Sequence, residues 1–336
     1  MNPVAAHDQH DPPAEASPLA AAHRLLESEL VRVEALLQDS SWGPVPVMAQ
    51  VASHLVDAGG KRLRPVLALL AARMAETPIE ASLEVAAASE MIHTASLLHD
   101  DVVDETPLRR GRPAAPRVYG NATCVLVGDA LMAQALCMLG ELEDRRPLLS
   151  LARCVRRMAV GEIQQLAQTG RPHPRLLGYL RVVEGKTSAL FAWCTTVGDL
   201  CPDPLRPTLR SFGRRLGMAF QIADDVLDYV GDPAKTGKSV GSDISEGKFT
   251  LPLHFACQEQ PELLALAQRI GNSSQPDPTL LAQVVDGVRA SAGLERARET
   301  ARTLLRRAHR ALDPCPASES RDQLHALADF VVRRTF

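Results

Sequence analysis

From about residue 19 onward, apolar positions return at intervals of three and four, the spacing that lays one buried face along an α-helix. The stretch AAAHRLLESELVRVEALL (20–37) shows it first. Four longer stretches repeat it: IEASLEVAAASEMIHTASLLHDDVVDE (79–105), CVLVGDALMAQALCMLGEL (124–142), LLSLARCVRRMAVGEIQQLAQ (148–168) and LRSFGRRLGMAFQIADDVLDYV (209–230). Each is rich in Ala or Leu and bounded by Gly or Pro, so each predicts a helix with defined ends. No run alternates β-branched and aromatic residues with polar ones, and aromatics make up only 4% of the chain, so strands are not expected. No fixed-period repeat is visible, which argues against a helical solenoid. The pattern predicts one all-α domain over residues 19–336 with a bundle core. Residues 1–18, MNPVAAHDQHDPPAEASP, read as a disordered tail; lacking a basic n-region and any arginine, they resemble neither a secretory signal nor a transit peptide. Beyond about residue 258 the chain becomes polar (NSSQPDP) and then enters LERARETARTLLRRAHRALD (294–313), read as a helix with a solvated, arginine-rich face.

Composition narrows this reading. A chain of 336 residues suits one large domain or two ordinary ones. With 46% apolar and 23% charged residues it has the balance of a soluble globular protein, and no apolar run approaches the roughly 18 residues of a membrane span. The net charge of −3 gives no electrostatic reason to expect nucleic acid as a partner. Seven scattered cysteines without a C-x-x-C pair argue for reduced thiols in a cytoplasmic protein, and against a disulfide framework or zinc site.

Two short stretches depart from the apolar pattern in the same way. LLHDDVVDE (97–105) and QIADDVLDY (221–229) each hold two adjacent aspartates and a third three residues later. Carboxylates among leucines and valines are costly unless something neutralises them. On a helix, residues four apart share a face, so Asp100 and Asp104 point one way with Asp101 to the side; Asp224 and Asp228 repeat this with Asp225. Pro107 and Pro233 follow closely, so each cluster occupies the last turns of its helix, where the macrodipole already disfavours negative charge. Repeated twice, this arrangement implies an external cation at each place. Hard oxygen ligands suit Mg²⁺, which completes its shell with waters and substrate phosphates.

Basic residues complete the pattern. TPLRRGRP follows the first cluster, with Pro107 leaving Arg109 and Arg110 in a short loop. GDPAKTGKSVGSDISEGKFTLP follows the second, with Lys235, Lys238 and Lys248, and GGKRLRP upstream supplies Lys61, Arg62 and Arg64. Guanidinium forks and lysine charges beside magnesium-binding carboxylates are what a diphosphate requires. GKS (237–239) and GKT (185–187) are not nucleotide-binding loops: the required earlier glycine is Asp at 232 and Leu at 180, and neither follows a strand.

GGKRLRP, IHTASLLHDDVVDETPLRRGRP, VEGKTSALF and FQIADDVLDYVGD with GKSVGSDISEGKFTLPL together resemble the motif series of the trans-polyprenyl diphosphate synthases. The resemblance runs from about residue 55 to 255, with a weaker echo in the closing LADFVVRR. It implies an all-α isoprenoid synthase-type bundle around a central apolar cavity, usually homodimeric. It also implies Mg²⁺-dependent condensation of isopentenyl diphosphate onto an allylic diphosphate primer. By resemblance, Asp100, Asp104 and Asp224 bind magnesium, supported by Asp101, Asp225 and Asp228. Arg109, Lys186, Thr187, Gln221 and Lys238 hold the allylic diphosphate, and Lys61, Arg64, His93 and Arg110 hold isopentenyl diphosphate; Lys248 joins the substrate-binding cations. Asp100, Asp104, Asp224, Arg109, Lys186 and Lys238 form the expected catalytic set. His93, seven residues before Asp100, lies nearly on its face. No motif residue is missing.

The growing chain needs an apolar channel below the acids. In the family, aromatic residues four or five positions before the first aspartate stop growth early; here those positions are Ser96 and Ala95. Met132, Ala133 and Leu136 on the neighbouring helix are candidate deeper walls. Small residues predict a long product, octaprenyl to decaprenyl, suited to a quinone side chain. The competing readings are a farnesyl or geranylgeranyl synthase, a terpene cyclase, and a non-catalytic partner subunit. A cyclase would generally lack the second acidic cluster and GGKRLRP, and a non-catalytic subunit would have lost acids or arginines.

Overall fold

The computed structural model describes residues 17–41, 45–56, 61–109, 111–171, 176–231, 240–273 and 275–333. The chain enters through α1 (Pro18–Leu25), with Pro18 in its first turn and the Ser17 hydroxyl accepting the Ala20 N–H at 3.2 Å. Helix thus starts one residue before the boundary expected from sequence; residues 1–16 of the expected tail lie outside the described residues. The single helix expected over 20–37 is broken at Leu26, where α2 (Glu27–Ser41) begins anew. Then come α3 (Pro46–Val56), α4 (Leu63–Ala75) and α5 (Ile79–Val103), with Asp104 as the C-cap of α5.

Strands were not expected, yet β1 (Leu108–Arg109) pairs antiparallel with β2 (Arg112–Pro113) immediately after α5. Two residues per strand are too few to leave an alternating pattern to read. The helices resume as α6 (Ala115–Tyr119), α7 (Asn121–Glu141), α8 (Arg146–Leu166) and α9 (Leu176–Val183). A five-residue π-helical turn (Glu184–Ser188) leads directly into α10 (Ala189–Thr195). The long α11 (Arg206–Val230) follows, then the short α12 (Ser242–Ser245), α13 (Leu251–Glu259), α14 (Glu262–Gly271), α15 (Pro278–Ala290), α16 (Gly293–Leu312) and α17 (Glu319–Arg333).

The all-α reading holds, and α11 is the axis of the bundle. It buries Leu209, Phe212, Leu216, Ile222, Val226 and Tyr229 against α10 on one side and α16 on the other. The arginine-rich segment therefore does more than present a solvated face. Leu294, Ala297, Ala301, Leu305, Ala308 and Leu312 form an apolar stripe at three- and four-residue spacing, packed along α11, while Arg296, Arg306, Arg307 and Arg310 are exposed and Arg298 and Arg302 half-buried. Alanine at half of these positions lets the two helix axes approach closely.

Helix α7 differs from expectation in another way: by length and composition it is apolar enough to cross a membrane. Asp129 interrupts the run in sequence, and Gly128 and the buried Leu131, Ala135 and Leu139 seat the helix within the bundle beside α5. A second, smaller apolar cluster lies between α3, α5, α6 and α7, built from Val51, Leu55, Ala95, Leu98, Ala115, Cys124, Val127 and Leu131.

The contact between α10 and α11 depends on a residue without a side chain. A Cβ on Gly213 would stand 2.1 Å from the Thr195 hydroxyl oxygen and 2.6 Å from the Phe191 carbonyl oxygen. Gly213→Ala should therefore lower unfolding stability by about 1–3 kcal/mol, the usual cost of overpacking a core. Denaturant unfolding checks this, and an unchanged midpoint would show that the two helices separate freely.

Candidate active site

The C-terminal ends of α5 and α11 border one cavity of about 240 Å³. Of the residues singled out in the sequence, Asp100, Asp104, Arg109, Lys186, Thr187, Gln221, Asp225 and Lys248 line it. Arg110, Lys235 and Lys238 lie outside the described residues.

Lys186 and Thr187 reach the cavity because the π turn adds a residue to that stretch of helix and displaces their side chains from α-helical register. The turn is seated against Gly161 of α8, where a Cβ would come within 2.6 Å of the Lys186 amide nitrogen. Lys186 Nζ lies 2.5 Å from Glu162 Oε2, 3.0 Å from Gln165 Oε1 and 3.8 Å from Asp100 Oδ2. Lys248 Nζ is 2.7 Å from both Asp104 Oδ2 and Glu246 Oε2. Burial of Lys248 disfavours its charge, but the Glu246 and Asp104 carboxylates outweigh burial and hold its pKa above the ordinary lysine value. Burial lifts the pKa of Asp100; Lys186 opposes the rise, and Glu162 and Asp104 add to it.

The six aspartates do not act alike. Asp100 and Asp104 share a face and open into the cavity, as their spacing predicts. Asp101 is completely buried and faces Arg109, whose Nε and Nη2 donate to its carboxylate at 2.6–2.8 Å. Its oxygens anchor the arginine that enters the cavity. In the second cluster the symmetry expected with the first fails. Asp225, on the cavity wall and buried, accepts from Tyr179 Oη at 2.5 Å and from Gln221 Nε2 at 2.8 Å, while Thr187 Oγ1 donates to Gln221 Oε1 at 2.7 Å. Asp228 accepts from the backbone and hydroxyl of Ser242 and from the Asp243 amide, capping the start of α12. Asp224 does not line the cavity and lies within electrostatic reach of Arg64.

Other expected residues surround the cavity without lining it. Arg64 turns inward, its guanidinium 5.3 Å from the centre of the Phe191 ring, within electrostatic reach of Glu90 and Asp224. Burial lowers its pKa, and its buried Nε has no hydrogen-bond partner among the described residues. Lys61 is exposed at the start of α4, and its neighbour Arg62 is committed to Glu34 and Glu90. His93 is half-buried on α5, and the Ser96 hydroxyl donates to its carbonyl oxygen at 2.8 Å. Ala95 lies in the small cluster between α5 and α7, and Met132 packs at the seam between that cluster and the main core.

The sequence did not point to Gln165, Arg171, Tyr179 and Asp243, which line the cavity, or to Glu162, which pairs with Lys186. Glu162 and Gln165 engage Lys186, Tyr179 fixes Asp225, and Asp243 is a buried carboxyl whose pKa is pushed well up by burial and by Asp228 and Asp225. Asp243 stood within the quoted lysine loop, and Glu162 was a lone acid within an otherwise apolar and basic helix; either departure could have been followed.

Among the described residues no three Asp, Glu, His or Cys side chains form a closed metal cage. What the cavity offers is a pair of hard oxygen donors on Asp100 and Asp104, fringed by Arg109, Arg171, Lys186 and Lys248. That donor set fits Mg²⁺, which binds through one or two carboxylates and takes its remaining ligands from water and phosphate.

The model of the polyprenyl synthetase family matches residues 45–287. Octaprenyl diphosphate synthase of Escherichia coli (strain K12) is 36% identical over 323 residues, covering 94% of this chain and 99% of that enzyme. All-trans-nonaprenyl-diphosphate synthase (geranyl-diphosphate specific) of Rhodobacter capsulatus is 40% identical over 86% of this chain and 90% of its own length. The crystal structure of a polyprenyl synthase from Caulobacter crescentus CB15, complexed with calcium and isoprenyl diphosphate, superposes with a TM-score of 0.90. It is 36% identical and covers 96% of this chain and 100% of that one.

Two outcomes follow from the geometry. Arg109→Ala strands the buried Asp101 carboxylate and should cost about 3–5 kcal/mol of stability, as broken buried ion pairs do. Chemical denaturation of the variant checks this, and a loss below about 1 kcal/mol would show that water reaches Asp101. Burial pushes Asp225 up to about 7, against an unfolded value of about 3.9. Between those values the folded chain binds a proton that the unfolded chain has released, so this group makes stability fall as pH rises from about 4 to about 7. With divalent metal chelated, Asp225→Asn should flatten that part of the stability–pH curve; an unaltered slope would mean that Asp225 titrates normally.

Proposed function

The chain belongs to the polyprenyl synthetase family and is a prenyltransferase, and on that premise we propose that it condenses isopentenyl diphosphate onto an allylic diphosphate to make a linear product of eight to ten isoprene units. The observation that carries the reading is the cavity itself, where an open pair of carboxylates, Asp100 and Asp104, faces Lys186, Lys248 and Arg109 beside an apolar helical core. This surrounds a diphosphate with bridging sites and fixed cations on one side and leaves hydrocarbon on the other.

Mg²⁺ held by Asp100 and Asp104, with Asp224 from the second cluster, would supply Lewis-acid neutralisation of the departing diphosphate. The calcium in the Caulobacter polyprenyl synthase complex supports a divalent cation in this family. The protein's own part is positional and electrostatic. Lys186 and Arg109 orient the allylic diphosphate and offset the charge that grows as its C–O bond breaks, in a cavity where such interactions are strong. Lys186 is held ready by Glu162 and Gln165, and Thr187 is fixed through Gln221 to Asp225. Arg64, with a buried Nε lacking a partner, is suited to the second diphosphate together with Lys61 and His93. Apolar side chains such as Leu97, Val182, Val183 and Phe249 on the cavity wall keep water from the allylic cation until the isopentenyl double bond attacks. The diphosphate released then takes the proton that is lost.

Product length rests on the small residues below Asp100. Ala95 and Ser96 put no ring in the path, and Met132 at the seam between the clusters is the first adaptable wall. The octaprenyl and nonaprenyl relatives support this range, which suits the side chain of a quinone. Exposed apolar residues on adjoining helices, among them Leu126 at 67% and Ile163 at 63% exposure, favour a homodimer. Seven free cysteines favour a reducing, cytoplasmic setting.

The test combines purified protein, Mg²⁺, labelled isopentenyl diphosphate and farnesyl diphosphate, and resolves the dephosphorylated products by length. A ladder ending at eight to ten units is expected; an end at farnesyl or geranylgeranyl would overturn the long-chain reading, and no incorporation would overturn the reaction. Asp100→Ala should lower turnover by about 10²-fold or more. Ser96→Phe should shorten the product while leaving the first condensation intact.

A further inference from the structure

On the side of the π turn away from the catalytic cavity lies a second depression, whose lining includes Arg153 and Arg157 of α8, Arg210 and Arg214 of α11, and Ser188, Ala189, Ala192 and Trp193 between them. The two arginine pairs are each spaced i, i+4, so each pair shares one helix face. Like charges at that spacing repel and destabilise a helix unless something neutralises them. Arg210 is answered by Asp199 at 2.5 Å and Arg214 by Glu184 at 3.0 Å. Arg153 and Arg157 have neither a hydrogen bond nor an ion pair among the described residues. Four guanidinium groups thus share two carboxylates, leaving two positive charges over a groove of about 290 Å³. The floor is firm: the Trp193 indole donates to Ser150 Oγ at 2.9 Å, and Ser188 Oγ donates to the Arg214 carbonyl oxygen at 2.6 Å.

We propose that this groove is a second anion site, separate from the catalytic cavity, which takes a diphosphate group through Arg153 and Arg157 with Arg210 and Arg214 at its other edge. Planar guanidinium groups grip phosphate oxygens in pairs, and two uncompensated charges match a multiply charged anion better than a monovalent one. The π turn is common to both sites. Lys186 and Thr187 line the catalytic cavity, whereas Glu184 and Ser188 of the same five residues line the groove. An anion that draws Arg214 away from Glu184 acts on the turn that positions Lys186. Occupation of the groove is independent of the proposed reaction; its effect on turnover rests on that reading.

The experiment is calorimetric titration of the full chain with inorganic diphosphate in excess EDTA, which removes cations that would hold diphosphate between the catalytic aspartates. Wild type is compared with Arg153→Gln/Arg157→Gln and Arg153→Lys/Arg157→Lys, whose altered side chains are exposed and outside the catalytic cavity. The glutamine variant should bind about tenfold more weakly or worse, and the lysine variant should retain most of the affinity. Repeating the titration with farnesyl diphosphate identifies the source: tighter binding than inorganic diphosphate marks a prenyl diphosphate as the natural ligand, and equal binding marks the released diphosphate. Identical isotherms for wild type and the glutamine variant, or no heat from wild type, would overturn the site. A protein that binds in this way but fails to incorporate isopentenyl diphosphate would lose the proposed reaction and keep the groove.

Discussion

Everything around the cavity answers to one constraint: carboxylates buried at the C-terminal ends of two helices must be neutralised within the bundle. The helix dipole opposes them and the apolar surroundings amplify the opposition. Each buried acid is met by a donor from elsewhere in the chain. Asp101 is met by Arg109 from the adjoining strand, Asp104 by Lys248, and Asp225 by Tyr179 from α9. These pairings tie the ends of α5 and α11 to β1, α9 and the segment after α12, so assembling the site and closing the bundle are one event. Asp100, Asp225 and Asp243 all keep raised pKa values, with burial the leading cause at each and Lys186 opposing the rise at Asp100.

The same economy explains why the site combines a dry wall with a charged one. The fixed cations occupy the ends of helices and the turns between them, where chain ends and backbone polar groups already require partners. The helical shafts supply apolar side chains. Charged rim and apolar wall thus come from the same helices, without a separate domain for either. The π turn is the point at which the arrangement departs from ideal helix: one added residue sends neighbouring side chains to opposite sides, Lys186 inward and Glu184 outward.

Much of this was legible in the residues alone. Helix positions followed from apolar spacing, and the α5 and α11 boundaries fell within a few residues of expectation. The doubled aspartate motif marked the site, and Asp100, Asp104, Arg109, Lys186, Thr187, Gln221 and Lys248 come together as the resemblance implied. What was not legible is which acids remain available. Asp101, Asp225 and Asp228 belong to the same motifs as Asp100 and Asp104, and nothing local separates them. Their roles diverge because Arg109, Tyr179 and Ser242 meet them in space. The paired β1 and β2 residues were likewise invisible, because two residues carry no period.

The sequence by itself determined the class of fold and the chemistry at issue, because both are written in local patterns: the three-and-four spacing of apolar residues, and carboxylates and cations too costly to bury without a purpose. The tertiary structure alone decided the division of labour. It turned the arginine-rich segment into a core helix by laying its alanine stripe along α11, it gave Gln165, Tyr179 and Asp243 their places in the cavity, and it set Glu162 against Lys186. A side chain's charge is a property of the residue. Its neighbours, and hence whether that charge is spent on the protein or left for a ligand, depend on contacts between segments far apart in the chain, such as the 144 residues separating Asp104 from Lys248.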